Sequence, residues 1–490
     1  MGRITDYDEI KRRRITLFLA AAIPLIRMLV LIHQYLFANL NGNLVDYVFI
    51  PALLGVFLFC GFFRQEKCSS ILSWYLLWLL ITRFINGDHV LSESMDSLLY
   101  TSQSILVFVP GVLLVKKDGD KALTVAALAV TAFYLLLGIL CIYVIVAHQE
   151  WINPLDGYRI GLSESRLRLY ILGMHPNVAG GHYLIAFCMA VWLYFRFEQV
   201  WAKACALTAG IVDILIIAQT VSRNAQTCLC AAVGLTVGIL VFSNLRARKR
   251  RVRMAAFFGA ALLAGTLFYS VFEPIRYLMW QAYDRTNAVQ SEMSANTSVA
   301  YGLNNLAEES FTLSDGRVVK MLASKNQAEQ HDDLFEPDSR AYFDSGRKEI
   351  YWSAIKSLEM EPRRLLVGSS WEHLLEISHS LIKEQAKHFH NDFLQAVNLV
   401  GLPGMILQII FLVCVARFGI RIIFDISEQY SMCDRMLVIP VAVFYVYIML
   451  ECTLNLKYID FRALMFYFLA GMTVGTAKQA DRAGANLKEL

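Results

Sequence analysis

The sequence predicts an all-α polytopic membrane protein of about twelve transmembrane helices, with one large external loop between the ninth and tenth. Three observations carry this. Of the 490 residues, 57% are hydrophobic and only 18% charged, and the mean hydropathy is +0.47, against roughly 45–50% and about 25% in soluble domains. The apolar residues gather into runs of about 20, the length that crosses a bilayer core of roughly 30 Å. Basic residues collect in alternate connecting turns, the pattern that orients a chain with those turns in the cytoplasm.

The apolar runs lie near 15–37, 44–63, 69–86, 98–115, 122–147, 176–195, 204–221, 225–243, 254–273, 403–424, 436–455 and 459–476. Lys11, Arg12, Arg13 and Arg14 precede the first run and no small-residue cleavage site follows, so it reads as an uncleaved span. With the amino terminus inside, the cytoplasmic turns hold RQEK (64–67), KKDGDK (116–121), RARKRRVR (246–253), Arg417, Arg421 and Arg435. The opposite turns, 38–43 and 87–97, are nearly free of Lys and Arg. Both termini are therefore expected in the cytoplasm. The chain divides into residues 1–273 (helices 1–9), 274–402 (an external loop subdomain with an interfacial helix) and 403–490 (helices 10–12 and a cytoplasmic tail).

The net charge of +4 says little by itself. The long loop from 274 to 390 carries 13 Lys/Arg and 17 Asp/Glu, so an anion there must be held by particular arginines rather than by a basic field. Nothing points to a nucleic-acid partner. That loop has no cysteine, although the chain has ten, so no disulfide scaffold is expected, and no spacing resembles a zinc site.

The segment HFHNDFLQAVNLVGLPG (388–404) stands just before an apolar run. As a helix from Asn391 to Val400, it places Asn391, Asp392, Gln395 and Asn398 on one side, with apolar residues filling the rest. Ten residues are too few to span, so this predicts an interfacial helix at the outer surface. A Gly-Leu-Pro-Gly corner then ends one helix and begins the next. His390 opens this helix. Its imidazole can accept a proton from a hydroxyl near neutral pH; the alternative is that it caps or packs the helix start. His388 reads as structural or solvated. HFH is not favoured as a metal pair, because positions two apart diverge on a helix and no carboxylate cluster accompanies them. No metal or cofactor is expected.

His390-Asn391, nine further residues and then Gly401-Leu402-Pro403-Gly404 resemble the O-antigen ligase signature. VSRNA (221–225), SGRKEIYWSAI (345–355) with EPRRLLVGSSW (361–371), and RLYILGMHPNVAG (168–180) are similar to further stretches of the wider O-antigen ligase and polymerase superfamily. Three of these four stretches fall outside by charge counting alone. Residues 372–387 lengthen the commoner pattern.

The resemblance implies a GT-C-like fold in the bacterial cytoplasmic (inner) membrane. It implies metal-independent, inverting transfer of a glycan from an undecaprenyl-diphosphate-linked donor to an acceptor hydroxyl on a glycan, lipid or cell-wall component, amid membrane lipids. His390 would be the base, supported by Asn391, Gly401 and Gly404. Arg223, Arg347 and Arg168 would hold the diphosphate, since a guanidinium grips phosphate oxygens bidentately and stays charged. For Arg223 the alternative is anchoring at the membrane surface, and for Arg347 an ion pair with Asp344. For Arg168 a structural role is the favoured reading. A polymerase would share this chemistry. A non-enzymatic polysaccharide flippase is the rival from another class, and it would make more of Asp213. That carboxylate lies inside an apolar run, either paired with Arg27 or Arg83 or lining a polar path.

Overall fold

A computed structural model of the chain describes residues 67–87, 93–115, 119–147, 151–152, 159–162, 168–172, 174–245, 248–279, 281, 310–312, 318–320, 347–371, 373–374, 388–427, 429–455 and 460–486. The chain is a multi-pass membrane protein. Among the described residues, eight helices are long and apolar enough to cross a bilayer: Cys68–Ile85, Lys121–Val146, Pro176–Arg196, Val200–Thr220, Arg223–Asn244, Arg250–Met279, Asp392–Ile423 and Met432–Leu450. The spans expected near 15–37 and 44–63 lie outside the described residues.

In chain order the helices are α1 (Lys67–Ile85), α2 (Glu93–Leu106), α3 (Phe108–Val115), α4 (Gly119–Val146), α5 (Pro176–Arg196), α6 (Val200–Thr220), α7 (Arg223–Asn244), α8 (Arg250–Tyr269), α9 (Arg347–Met360), α10 (Arg364–Val367), α11 (Asp392–Ile423), α12 (Met432–Leu450) and α13 (Phe461–Asn486). Two expected spans take a different form. The run near 98–115 is broken at Val107 into α2 and α3. Pro110 explains the break: it lacks an N–H, and its ring crowds the carbonyl of Leu106 four residues back. The last run becomes α13, which falls outside the eight and is buried from Phe461 to Gly475. A helix apolar on all sides belongs in the interior, and α13 is the axis on which α3, α11 and α12 pack.

The stretch near 148–175, expected as a loop, contains a small antiparallel sheet of β1 (Trp151–Ile152), β2 (Arg159–Leu162) and β3 (Leu169–Tyr170), with Trp151 opposite Ile160 and Gly161 opposite Tyr170. A second pair, β4 (Ser310–Thr312) and β5 (Val318–Lys320), lies in the long loop.

The corner in α11 fixes the site. Helix geometry runs through 392–423 except at Gly401, whose φ of 69° and ψ of 179° turn the chain. The turn leaves the carbonyls of Leu399 and Val400 without helical donors. The guanidinium of Arg83 donates to the first, and the indole Nε1 of Trp78 to the second at 2.7 Å. Arg83 therefore serves this corner, and neither carboxylate oxygen of Asp213 has a hydrogen-bond partner among the described residues. Arg27 lies outside them. Gly368, also left-handed with φ of 66°, stacks its backbone on Leu399, while Gly401 stacks on Leu366. Gly404 is hemmed in by Val400 and Trp78.

The helix before the corner departs from the expected interfacial one. Asp392, Gln395 and Asn398 are all fully buried. Most of their polar atoms find partners inside the protein instead of in water: Phe389 N donates to Gln395 Oε1 at 3.0 Å, and Ser357 Oγ of α9 to Asn398 Oδ1 at 2.9 Å, while Gln395 Nε2 has no partner among the described residues. Amphipathic periodicity marks two different faces, and does not say whether the polar one meets water or protein.

Gly401→Ala is expected to destabilise by about 2 kcal/mol or more, because a Cβ there is both left-handed and pressed into the carbonyl of Leu366. Thermal melting of the purified protein in detergent reads this. Leu402→Ala, at a partly exposed neighbour, should shift the midpoint far less, and equal melting of the two variants would remove the corner as a constraint.

Candidate functional site

Glu451, the residue that caps the end of α12, is almost fully buried and gathers groups from three other segments. His390 Nδ1 lies 2.7 Å from its Oε1, and His388 Nε2 lies 3.6 Å from the same oxygen. On its other oxygen, Oε2, the amide of Asn224 donates at 3.1 Å and that of Asn177 at 3.4 Å. Asn224 follows Arg223 at the start of α7, and Asn177 sits in the first turn of α5.

Each segment is held from behind. Asp392, fully buried, accepts hydrogen bonds from the backbone N–H of Thr453, Leu454 and Asn455 and from the Thr453 hydroxyl. This pins the turn after Glu451 to the start of α11. Asn391 caps α11, its Oδ1 accepting from Phe393 N and Leu394 N at 3.0 Å each, while its amide donates to Met449 O. The helix start is therefore capped by Asn391, and capping is not the task of His390. Tyr447 donates to the carbonyl of Asn177 and accepts from Arg462, itself paired with buried Asp460.

Backbone geometry marks the same places. Among the described residues, the non-glycine positions with left-handed φ are Leu172, Val221 and His390. They precede Asn177, stand just before Ser222 and Arg223, and carry the imidazole itself. A β-branched residue such as Val221 adopts that conformation only under constraint, and such residues cluster at functional sites.

The electrostatics follow from burial and neighbours. Burial alone would raise the Glu451 carboxyl, but the hydrogen bond and charge of His390, with His388 and Arg462 nearby, hold it well below the usual range. A carboxylate accepts and cannot donate, so in the neutral form of His390 the Nδ1–H points at Glu451 and the lone pair lies on Nε2. That nitrogen has no partner among the described residues, and the side chain is 27% exposed. Burial, reinforced by the charges of His390 and Arg462 and opposed by Glu451, pushes His388 down to about 4, leaving it neutral near physiological pH.

The three arginines divide. Arg168 donates to the Thr220 carbonyl at 3.1 Å and to Asn177 Oδ1 at 3.0 Å. It joins the site as a brace that aims Asn177 at Glu451. Arg223 is the first residue of α7, partly exposed after the Ser222 cap. Arg347 opens α9, and its side chain lies outside the described residues. One turn later, Tyr351 donates to the His390 carbonyl at 3.2 Å, which docks α9 against the histidine segment.

Two readings change here. HFH does not lie on a helix; its rings converge, with centroids 4.2 Å apart, and a carboxylate does accompany them. One nitrogen of each histidine and an oxygen of Glu451 lie within 4.8 Å of one another, close enough to hold a metal ion. Glu451 itself, 61 residues beyond His390, was overlooked in the sequence. It is the sole acidic residue in the run near 436–455, and an ionisable group in such a run is a functional signal.

No protein-family model matches this chain, and no curated protein is significantly similar to it. The functional reading rests on the residues themselves.

Proposed function

We propose that the chain transfers a glycan from an undecaprenyl-diphosphate-linked donor to an acceptor hydroxyl on the outer side of the bacterial cytoplasmic membrane, as the O-antigen ligases it resembles do. The observation that carries this is the Glu451–His390 hydrogen bond of 2.7 Å, made through Nδ1 of a partly exposed side chain, so that Nε2 is left for a substrate. Nε2 takes the proton of the acceptor hydroxyl. The freed oxygen attacks the anomeric carbon, forming the new glycosidic C–O bond. The bond from that carbon to the diphosphate oxygen breaks, and undecaprenyl diphosphate departs with both electrons. Inversion follows from a single displacement. Glu451 holds the tautomer and stabilises the imidazolium that forms. Arg223 and Arg347 neutralise the leaving diphosphate. A polymerase would run the same steps with a second lipid-linked glycan as acceptor.

His390→Asn is the deciding variant. Asparagine tolerates the left-handed backbone of position 390 (φ of 50°), and the helix cap belongs to Asn391, so the fold should survive. Loss of a general base costs about 10²- to 10⁴-fold. Transfer by membranes containing this variant, assayed with lipid-linked donor, should fall by that amount at normal abundance. Glu451→Gln should also slow transfer. A His390→Asn protein that works at the wild-type rate defeats the base assignment.

The reaction uses no metal in this reading, because the arginines supply the charge that a cation supplies elsewhere. Transfer should persist in EDTA. Activity lost to the chelator and restored by zinc would place a cation on His388, His390 and Glu451 and end the base role of His390.

The site also sets an acid limit. The unfolded chain protonates position 388 near 6.5, the folded chain only near 4. The unfolded state therefore binds more protons across that window, and stability falls as pH drops from about 6.5 toward 4. The Glu451 contribution is present above its ordinary value of 4.5 and is lost only below it. Melting at pH 7.5 and 5 should show a smaller drop for His388→Gln than for the wild type; an equal drop would assign the loss elsewhere.

A further inference from the structure

The other end of α11 carries a second polar feature. Arg250, Arg417, Arg421 and Asp425, with Ile420 and Phe424, line an open cavity of about 500 Å³. From Gly401 to Arg421 is 20 residues, or about 30 Å of helix at 1.5 Å per residue, close to the thickness of a bilayer core. The cavity therefore sits at the opposite membrane boundary from His390, on the side that the charge pattern assigns to the cytoplasm.

The basic residues here are not equivalent. Arg253 is buried, stacked 4.0 Å from the Phe242 ring and donating to the Phe242 carbonyl. Arg435 is buried too and donates to the carbonyls of Ile423 and Asp425 at the end of α11. Those two hold helix ends. Arg421 pairs with Asp481, whereas Arg250 and Arg417 have no ion-pair partner among the described residues. Among the described residues, the cavity lining holds three guanidiniums and one carboxylate, Asp425, with Asp481 beside it on Arg421.

An apolar track runs into it. Ile406, Ile410 and Val413 are exposed on α11 at helical spacing, and Arg417 and then Ile420 continue the same face. Across the cavity α8 exposes Phe258 and Leu262. Acyl chains lie along such a track while a phosphate meets the guanidiniums, which favours a lipid over a free anion.

We propose that Arg250, Arg417 and Arg421 form a headgroup site for an anionic phospholipid, its acyl chains running along the exposed apolar face of α11. The phosphate engages Arg417 and Arg250 at the mouth, and Arg421 divides its charge between the headgroup and Asp481.

The test uses the full chain reconstituted in phosphatidylcholine bilayers, with spin-labelled phosphatidylglycerol or spin-labelled phosphatidylcholine reporting lipid immobilised on the protein. Wild type should select phosphatidylglycerol. An arginine near a membrane surface is worth roughly fivefold in binding an acidic lipid, so Arg417→Gln and Arg250→Gln should each cut the selectivity severalfold. Arg417→Lys should keep most of it, which guards against simple misfolding. Lys203→Gln removes a cation outside the cavity and should leave it unchanged. Absence of selectivity in wild type, or an equal loss in Lys203→Gln, overturns the site. Displacement of the lipid by inorganic phosphate, but not by sodium chloride of the same ionic strength, would make it a free-phosphate site and overturn the lipid assignment.

Discussion

The carboxylate of Asp392 is the contact on which the site depends. Fully buried, it takes three consecutive backbone N–H groups from Thr453, Leu454 and Asn455, a concave arrangement suited to an anion. The turn it collects begins one residue after the end of α12, and Glu451 and Cys452 belong to it. Without that clamp nothing in the local sequence would hold a glutamate from one helix under a histidine from another. His390, Asn391 and Asp392 thus act in succession on one partner segment: on the Glu451 carboxylate, the Met449 carbonyl and the 453–455 backbone. The Asp392 carboxylate and the backbone groups it collects are paired with one another out of water, so pulling them apart would leave buried polar groups unpaired, which makes this geometry costly to rearrange.

The helices were legible because their signal is simple. A bilayer demands long apolar runs with internally paired backbones, so composition alone locates them. What composition could not show is which runs face lipid and which face protein. The run from Phe461 reads like its neighbours, yet it is the buried axis of the bundle, while α8 is exposed along most of its length. The break at Val107 was available in Pro110 and went unused, since membrane helices often tolerate proline when neighbours satisfy the freed groups. The small sheet of Trp151 to Tyr170 was invisible for another reason: strands of two to four residues carry no period long enough to measure.

The site was half legible. A histidine before a Gly-x-x-Gly corner stands out in one dimension, and so do the asparagine segments of α5 and α7. Their purpose does not, because it comes from a residue far away in sequence. Asn177 and Asn224 had no assigned role in the sequence, and together with His390 they converge on Glu451. Arg168 illustrates the same limit. Its charge allowed a phosphate ligand while a structural role was the favoured reading, and its contacts with the Thr220 carbonyl and Asn177 Oδ1 name the groups that such a role would brace.

Asp213 bears on the choice between catalysis and transport. A carboxyl buried to this degree without a hydrogen-bond partner among the described residues would suit a polar path through the bundle, as a flippase requires. Its surroundings argue otherwise. Val212, Ile216 and Ile217 flank it within α6, and Tyr134 meets His182 instead, at 2.8 Å, on the α4–α5 side. One connected set of polar groups runs from Asp460 through Arg462, Tyr447 and Asn177 to Glu451 and on to the partly exposed side chain of His390. Among the described residues, its hydrogen bonds gather α5, α7, α12 and the start of α11 around Glu451. A path for a polar cargo must reach both faces, whereas a base and its orienting carboxylate need only one, and it is the second arrangement that the proposed transfer reaction would draw from the contact between Glu451 and His390.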